Sequence, residues 1–174
     1  MDPKLQELLD KQEISDVIQR YSRTLDWLDE GGQAGCYWPD AQIEYGFFSG
    51  RAEDFLPVVM ETESSLARRW HMLSQPIIRF HSPTSASSEC YGIFGGGRYQ
   101  EDGSIAGDII GGRYLDEWEK RGGSDGPEWR ISARTYILDW KSPLKDQPMF
   151  DPDPAFPLPT FRIDAPGHER YRKL

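Results

Sequence analysis

Helical periodicity in this chain is confined to roughly its first seventy residues, and strand-like alternation fills nearly everything from there to residue 141. A chain that places its helices first and its strands consecutively afterwards has no alternating βα units to stack. It predicts an α+β fold with a curved antiparallel sheet wrapped around N-terminal helices. Asp2-Pro3 is an N-cap followed by proline at the first helical position. Asp10-Lys11-Gln12-Glu13 has the form of a capping box, with Asp in place of Ser or Thr. The stripe Leu5, Leu8, Leu9 is rotated away from the stripe Ile14, Val17, Ile18, Tyr21, Leu25, Leu28. Both features predict a short helix, then a longer one over about residues 11–29 that Gly31-Gly32 ends. A β-type segment follows at 41–49, with Ile43, Tyr45 and Phe47 on one face. A further helix is expected at 54–69, capped by Asp54, with Pro57 in its first turn. Strands are expected at 71–81, 86–100, 107–120 and 128–141. Pro76 marks a bulge or an edge, and Gly95-Gly96-Gly97 and Gly111-Gly112 mark bends in the curved sheet.

The composition narrows the function classes. A net charge of -9 argues against a surface that tracks nucleic-acid phosphates. No apolar run approaches the roughly 20 residues of a membrane span, and the first residues lack the basic and apolar regions of a signal peptide. Cys36 and Cys90 stand apart without C-x-x-C spacing, which fits a reducing cytoplasm. Six Trp, eight Tyr and eight Phe suit either a pocket for a flat apolar molecule or a core built from aromatic rings. Seven of the 13 prolines lie between Pro143 and Pro166, interleaved with Phe150, Phe156 and Phe161. This divides the chain into a domain at 1–142 and a proline-rich extension at 143–174 that packs on the domain or on a partner subunit. The apolar sheet face and the anchored extension together suggest a homodimer or homotrimer.

Most site chemistries fall away on spacing. His71 and His81 would stand about 33 Å apart on a straight strand, too far to share a metal, and His168 sits in the polar tail, so no metal site is expected. Gly92-Ile93-Phe94-Gly95-Gly96-Gly97 opens no helix and precedes no Lys-Ser/Thr, so it is no phosphate loop. No G-x-S-x-G elbow and no activated cysteine motif is present. Proton transfer by side chains alone, without a cofactor, remains. A neutral His71 is able to accept a proton near pH 7, and a carboxylate on its other nitrogen would fix the tautomer and stabilise the imidazolium. On the helical wheel Asp29 lies nearer the apolar stripe than Asp26, so the residues alone lean to Asp29 as partner, or leave both at a solvated helix end. Arg113 and Arg134 lie in apolar strands, and parity leaves open whether each faces inward or out to solvent.

The run Ile14-x-Asp16-x-Ile18-x-x-Tyr21-x-x-x-Leu25-Asp26-x-x-Asp29, then Tyr37-Trp38-x-Asp40-Ala41, resembles the opening of SnoaL-like proteins of the NTF2-like superfamily. His71-Met72-Leu73-Ser74-Gln75-Pro76, the Gly-Gly-Arg-Tyr-Leu-Asp-Glu-Trp-Glu-Lys strand at 111–120 and Trp129-Arg130-Ile131-Ser132-x-Arg134 extend the likeness over about residues 10–142. That family includes scytalone dehydratase, bile-acid 7α-dehydratase and hexachlorocyclohexane dehydrochlorinase. The resemblance implies a cone-shaped α+β barrel with a cofactor-free site inside. It moves the catalytic aspartate to Asp26, places the catalytic histidine at His71 and adds Tyr21, which matches a tyrosine of the bile-acid enzyme. It also matches Arg134 to an arginine implicated in the dehydrochlorinase, expected to hold Asp26 or a polar end of the substrate, and Tyr45 and Tyr114 complete the expected substrate-binding residues. The chain departs from the dehydrochlorinase at Arg69 and Ile43, where that enzyme has a pocket cysteine and a tryptophan. It departs from the bile-acid enzyme at Leu138, where that enzyme has an arginine. The implied function is a dehydratase-like lyase or an isomerase acting on a hydrophobic cyclic or polycyclic substrate. A non-catalytic ligand-binding or structural subunit is the alternative from the same superfamily.

Overall fold

Asp2 caps the first helix by accepting the Lys4 N–H, and the helix then runs without a break as α1, Pro3–Asp26. The computed structural model describes residues 2–123 and 126–144. The second helix start expected at Asp10 does not form. The Asp10 carboxylate turns inward and accepts from Lys120 Nζ at 2.6 Å and Trp129 Nε1 at 3.0 Å, so it is spent on the sheet rather than on a cap. Leu5, Leu8 and Leu9 ride the exposed side of the same helix.

The helix ends at Asp26, earlier than expected, because Trp27 caps it and Leu28 takes a left-handed φ of 56°. Asp29 then accepts from Gly32 N–H and caps a short α2, Glu30–Ala34. Gly31 and Gly32 therefore lie within a helix instead of ending one. The strand expected at 41–49 starts earlier and is split at a turn around Gly46, giving β1, Tyr37–Glu44, and β2, Ser49–Arg51. Helix α3, Ala52–Ser64, begins before Asp54, so Pro57 lies past its first turn on an exposed face. Arg69 falls outside it, in β3, Arg68–Leu73. Pro76 has no N–H to continue a ladder, and the strand expected at 71–81 divides there into β3 and β4, Ile77–Ser82. Three long strands follow: β5, Ser85–Tyr99; β6, Ile105–Gly123; and β7, Gly126–Leu144. The extension beyond Leu144 lies outside the described residues.

The seven strands form one open, curved sheet in the order β2-β1-β7-β6-β5-β3, with β4 beside β3 along β5. It is mixed, not wholly antiparallel: β1 runs parallel to β7, pairing Ile43 with Arg134. The two strands come from opposite ends of the domain, so no hairpin dictates their relative direction. The β5–β6 register runs unbroken past Gly95-Gly96-Gly97, and the irregularity falls instead between Gly111 and Gly112 against β7. Inward glycines have another use. A Cβ at Gly92 would strike the Phe94 ring, and one at Gly112 the Tyr136 ring. Their absence of side chain lets those rings lie flat on the sheet.

Alternation sorts the long strands cleanly. Ala86, Ser88, Cys90 and Phe94 of β5, and Tyr114, Asp116 and Trp118 of β6, are buried, whereas Tyr91, Ile93 and Leu115 are exposed. The inward apolar residues meet Ile14, Val17, Ile18, Tyr21 and Leu25 of α1 in a single core cluster. Each such side chain contributes about 1.5–3 kcal/mol on burial, so α1 is held across the concave face of the sheet from Asp10 to Leu25.

Candidate active site

Asp26 is the last residue of α1, and its carboxylate spans two donors of a single residue forty-five positions away. His71 Nδ1 lies 2.7 Å from Asp26 Oδ1, and the His71 backbone N–H donates to Oδ2 at 3.1 Å. A carboxylate accepts only, so Nδ1 carries a proton, and in the neutral ring Nε2 keeps its lone pair. Both the tautomer and the position of β3 are thus set by one side chain. Burial by itself pushes the imidazole pKa down. The hydrogen bond and charge of Asp26, joined by the charge of Glu63, outweigh burial and leave it above the usual histidine value. The pair is not sealed, since the His71 and Asp26 side chains keep 10% and 26% of their exposure.

The rings of Tyr21 and Phe94 stand edge-on or tilted to His71, with centroids at 6.5 and 5.3 Å. Tyr21 Oη and Tyr45 Oη are 2.8 Å apart. Tyr114 packs against both rings, at 5.4 Å from Tyr21 and 6.2 Å from Tyr45, and Tyr136 stacks on Tyr45 at 5.1 Å. Burial, reinforced by neighbouring phenols, pushes the Tyr21 hydroxyl well above its ordinary range, and burial does the same at Tyr114. Both stay neutral hydrogen-bond donors.

Arg134 meets Asp116, not Asp26. Its Nε and Nη2 donate to the two Asp116 oxygens at 2.6 and 2.7 Å, and Nη1 donates to Tyr37 Oη at 3.2 Å. Both side chains of the pair are fully buried. The guanidinium carbon lies 4.2 Å from the Tyr21 centroid and 4.1 Å from that of Tyr114, between the two rings. It therefore supports the tyrosines from beneath and has no exposed face. Arg113 points the other way, to Asp139 and Glu89 on the outer surface. Asp29 is engaged at the α2 cap. Asp116 was not singled out in the sequence, although Tyr114, Asp116 and Trp118 share one strand face and a carboxylate in that company needs a cation.

An open, curved sheet packed over N-terminal helices, with a helix-end aspartate fixing a strand histidine, defines a class of small α+β domains. Residues 6–135 match the SnoaL-like domain, and the chain belongs to that family. Its fold is similar to that of a protein assigned as a scytalone dehydratase from Novosphingobium aromaticivorans DSM 12444, at 21% identity and a TM-score of 0.68 over 80% of this chain and 90% of that one. It is similar to a hexachlorocyclohexane dehydrochlorinase, LinA type 2, at 18% identity and a TM-score of 0.72 over 83% of this chain and 95% of that one. A cystatin-like protein of unknown function from Nostoc punctiforme PCC 73102 is similar at 22% identity and a TM-score of 0.59, over 75% and 92% of the two chains. At these identities the likeness establishes the NTF2-like fold. No curated protein matches the chain by sequence. Among the described residues no helix is long and apolar enough to cross a membrane.

Proposed function

We propose that this protein is a cofactor-independent lyase of the dehydratase type, or an isomerase using the same groups, acting on a hydrophobic cyclic or polycyclic substrate. The observation that carries the reading is the double grip of Asp26 on His71, which fixes the tautomer of the neutral imidazole and orients its ring. In this mechanism His71 Nε2 removes a proton from carbon, and Asp26 stabilises the imidazolium. The paired Tyr21 and Tyr45 hydroxyls then hydrogen-bond a developing enolate oxygen or a leaving hydroxyl. The Arg134 cation between Tyr21 and Tyr114 makes those phenols better donors as negative charge builds. An intermediate of steroid or aromatic breakdown fits the ring-lined interior, and the buried free cysteines fit a cytoplasmic setting.

The decisive screen incubates wild-type and His71→Ala protein with pools of hydroxylated steroids and aromatic metabolites, followed by mass spectrometry. Loss of water, or isomerisation, that requires His71 supports the reading; turnover that is indifferent to His71 sinks it. The imidazole itself offers a test that needs no substrate. An NMR titration of wild-type His71 should place its midpoint above the usual histidine value, and in Asp26→Asn the midpoint should fall. An unchanged midpoint would show that the carboxylate does not govern the base.

A non-catalytic ligand-binding or structural subunit is the second reading, favoured by the close packing of Tyr21, Tyr45, Tyr114, Tyr136 and Phe94. The screen separates the two, because a binder returns captured molecules unaltered. We further propose a homodimer or homotrimer. Exposed Met72, Tyr91, Ile93 and Trp140, which line one surface groove, favour a covered face. Sedimentation of a monomer at all accessible concentrations would rule this out.

A further inference from the structure

The outer face of the sheet carries a groove that the chemistry above does not use. Strand parity puts Met72 of β3 opposite His71, on the convex side. The register then lays Met72, Ile93, Gly111 and Trp140 in one row across four strands, with Tyr91 and Arg113 in the next. Gly111 is the floor. A Cβ there would strike the Trp140 ring, so its absence lets the indole lie flat on the strand. Met72, Tyr91, Ile93 and Trp140 line the recess and remain exposed. The walls are fixed in advance: the Arg113 guanidinium lies 5.2 Å from the centroid of the Tyr91 ring and is itself held by Asp139 and Glu89. A recess of about 390 Å³ between locked rings takes a protruding segment better than the flat face of a second sheet.

The chain supplies such a segment. Prolines 148, 152, 154, 157 and 159 surround Phe156. Proline fixes φ near −65°, so Pro152-Asp153-Pro154-Ala155-Phe156-Pro157-Leu158-Pro159 favours the extended polyproline helix, the form that aromatic-lined grooves recognise. These residues lie outside the described ones, but their point of departure does not. Strand β7 forms one wall of the groove with Trp140 and ends four residues on, at Leu144. Residues 145–151 therefore tether Pro152 to the groove's own strand. From Leu144 back to Trp140 is about 13 Å along the strand, and a tether of that length reaches about 23 Å. The row from Trp140 to Met72 crosses three strand spacings, about 14 Å, which a polyproline helix covers in about five residues. So short a tether holds the segment at an effective concentration in the millimolar range. The exposed stripe Leu5, Leu8 and Leu9 lies at the far end of the sheet, where Asp10 meets Trp129. Trp129 is fifteen residues up β7 from Leu144, about 50 Å on a straight strand and beyond the tether.

We propose that residues 152–159 of this chain fold back and dock in the groove, with Phe156 seated between Trp140 and Met72. Any contact between copies is then made over the docked segment. Met72 follows His71, so the segment backs the strand that carries the base.

The full chain with p-benzoylphenylalanine in place of Phe156 tests this. Irradiation of an equal mixture of light and isotope-heavy protein, followed by mass spectrometry of the peptides, locates each cross-link and tells one chain from two. Position 156 should join Met72, Ile93 or Trp140 within one chain. Adding Trp140→Ala should lower that yield about tenfold, whereas Leu115→Ala, on the outer face but outside the groove, should leave it unchanged. Circular dichroism checks each fold, and Tyr91→Ala, from the facing wall, replaces Trp140→Ala if that variant does not fold. Cross-links to the Leu5, Leu8, Leu9 stripe or another surface, light-to-heavy products at the groove, or no product at all overturn the proposal. A yield that survives loss of the groove's wall does so too.

Discussion

In His71→Ala, turnover should fall by roughly 100- to 10,000-fold, the range a positioned general base supplies, while the fold survives. The expectation of intact folding follows from the way Asp26 is held. Alanine keeps the backbone N–H that donates to Asp26 Oδ2, so the carboxylate retains one of its two partners and β3 stays tied to the end of α1. The lost imidazole was in contact with Phe94 and Tyr21 at the edge of the aromatic cluster, where water can enter in its place. Circular dichroism and a denaturant melt would check the fold alongside the rate. A variant with full activity would remove the central residue of the mechanism, and one that fails to fold would show that the histidine is chiefly structural.

The pH dependence of this pair has two opposite consequences. The folded pKa of His71 lies above the unfolded value of about 6.5. Its contribution to stability is therefore fully present below the unfolded value and fades as pH rises through the folded one. Proton abstraction needs the neutral ring and follows the reverse course. The protonation state that best stabilises the fold is thus the inactive one, and the acid limb of activity should lie above the usual histidine range.

The largest expected loss of stability is at the other buried pair. Asp116→Ala leaves the Arg134 guanidinium without its carboxylate in a site from which both side chains are wholly excluded from solvent. Removing one partner of such a pair costs about 3–5 kcal/mol, a drop of about 10 °C in Tm for a domain of this size. Replacing both residues by apolar ones of similar volume, Asp116→Leu with Arg134→Met, should recover most of that loss, because the uncompensated charge is then gone. The double variant should nonetheless have weakened activity, since Tyr21 and Tyr114 lose the cation between their rings. Thermal melts of the three proteins decide the matter: a single variant as stable as wild type would mean that water reaches Arg134 in solution.

Much of the fold was legible because periodicity is local. The helix-then-strand order, the buried faces of α1, β5 and β6, and the interruption at Pro76 all follow from side chains a few residues apart. What failed also had a physical cause. Asp10 reads as a cap within its own segment, but its carboxylate gains Lys120 and Trp129 from strands more than a hundred residues on. The direction of β1 was likewise hidden, because a strand pattern carries no sign of whether its neighbour runs with it or against it.

The candidate site divides along the same line. The sequence by itself determined that a histidine opens the strand region, that two aspartates close the first long helix, that Tyr21 and Tyr45 share faces with apolar neighbours, and that Arg134 lies in an apolar strand. It could not choose between Asp26 and Asp29 on spacing, and family likeness pointed to Asp26. Tertiary structure made that contact concrete: the curvature of the sheet carries β3 to the end of α1, where Asp26 reaches two N–H groups of His71 while Asp29 is spent on the cap of α2. It also sent Arg134 inward to Asp116 and Arg113 outward to Asp139. Local sequence fixes which face of an element is apolar, but only the closing of the sheet over α1 decides which charged group each polar side chain meets.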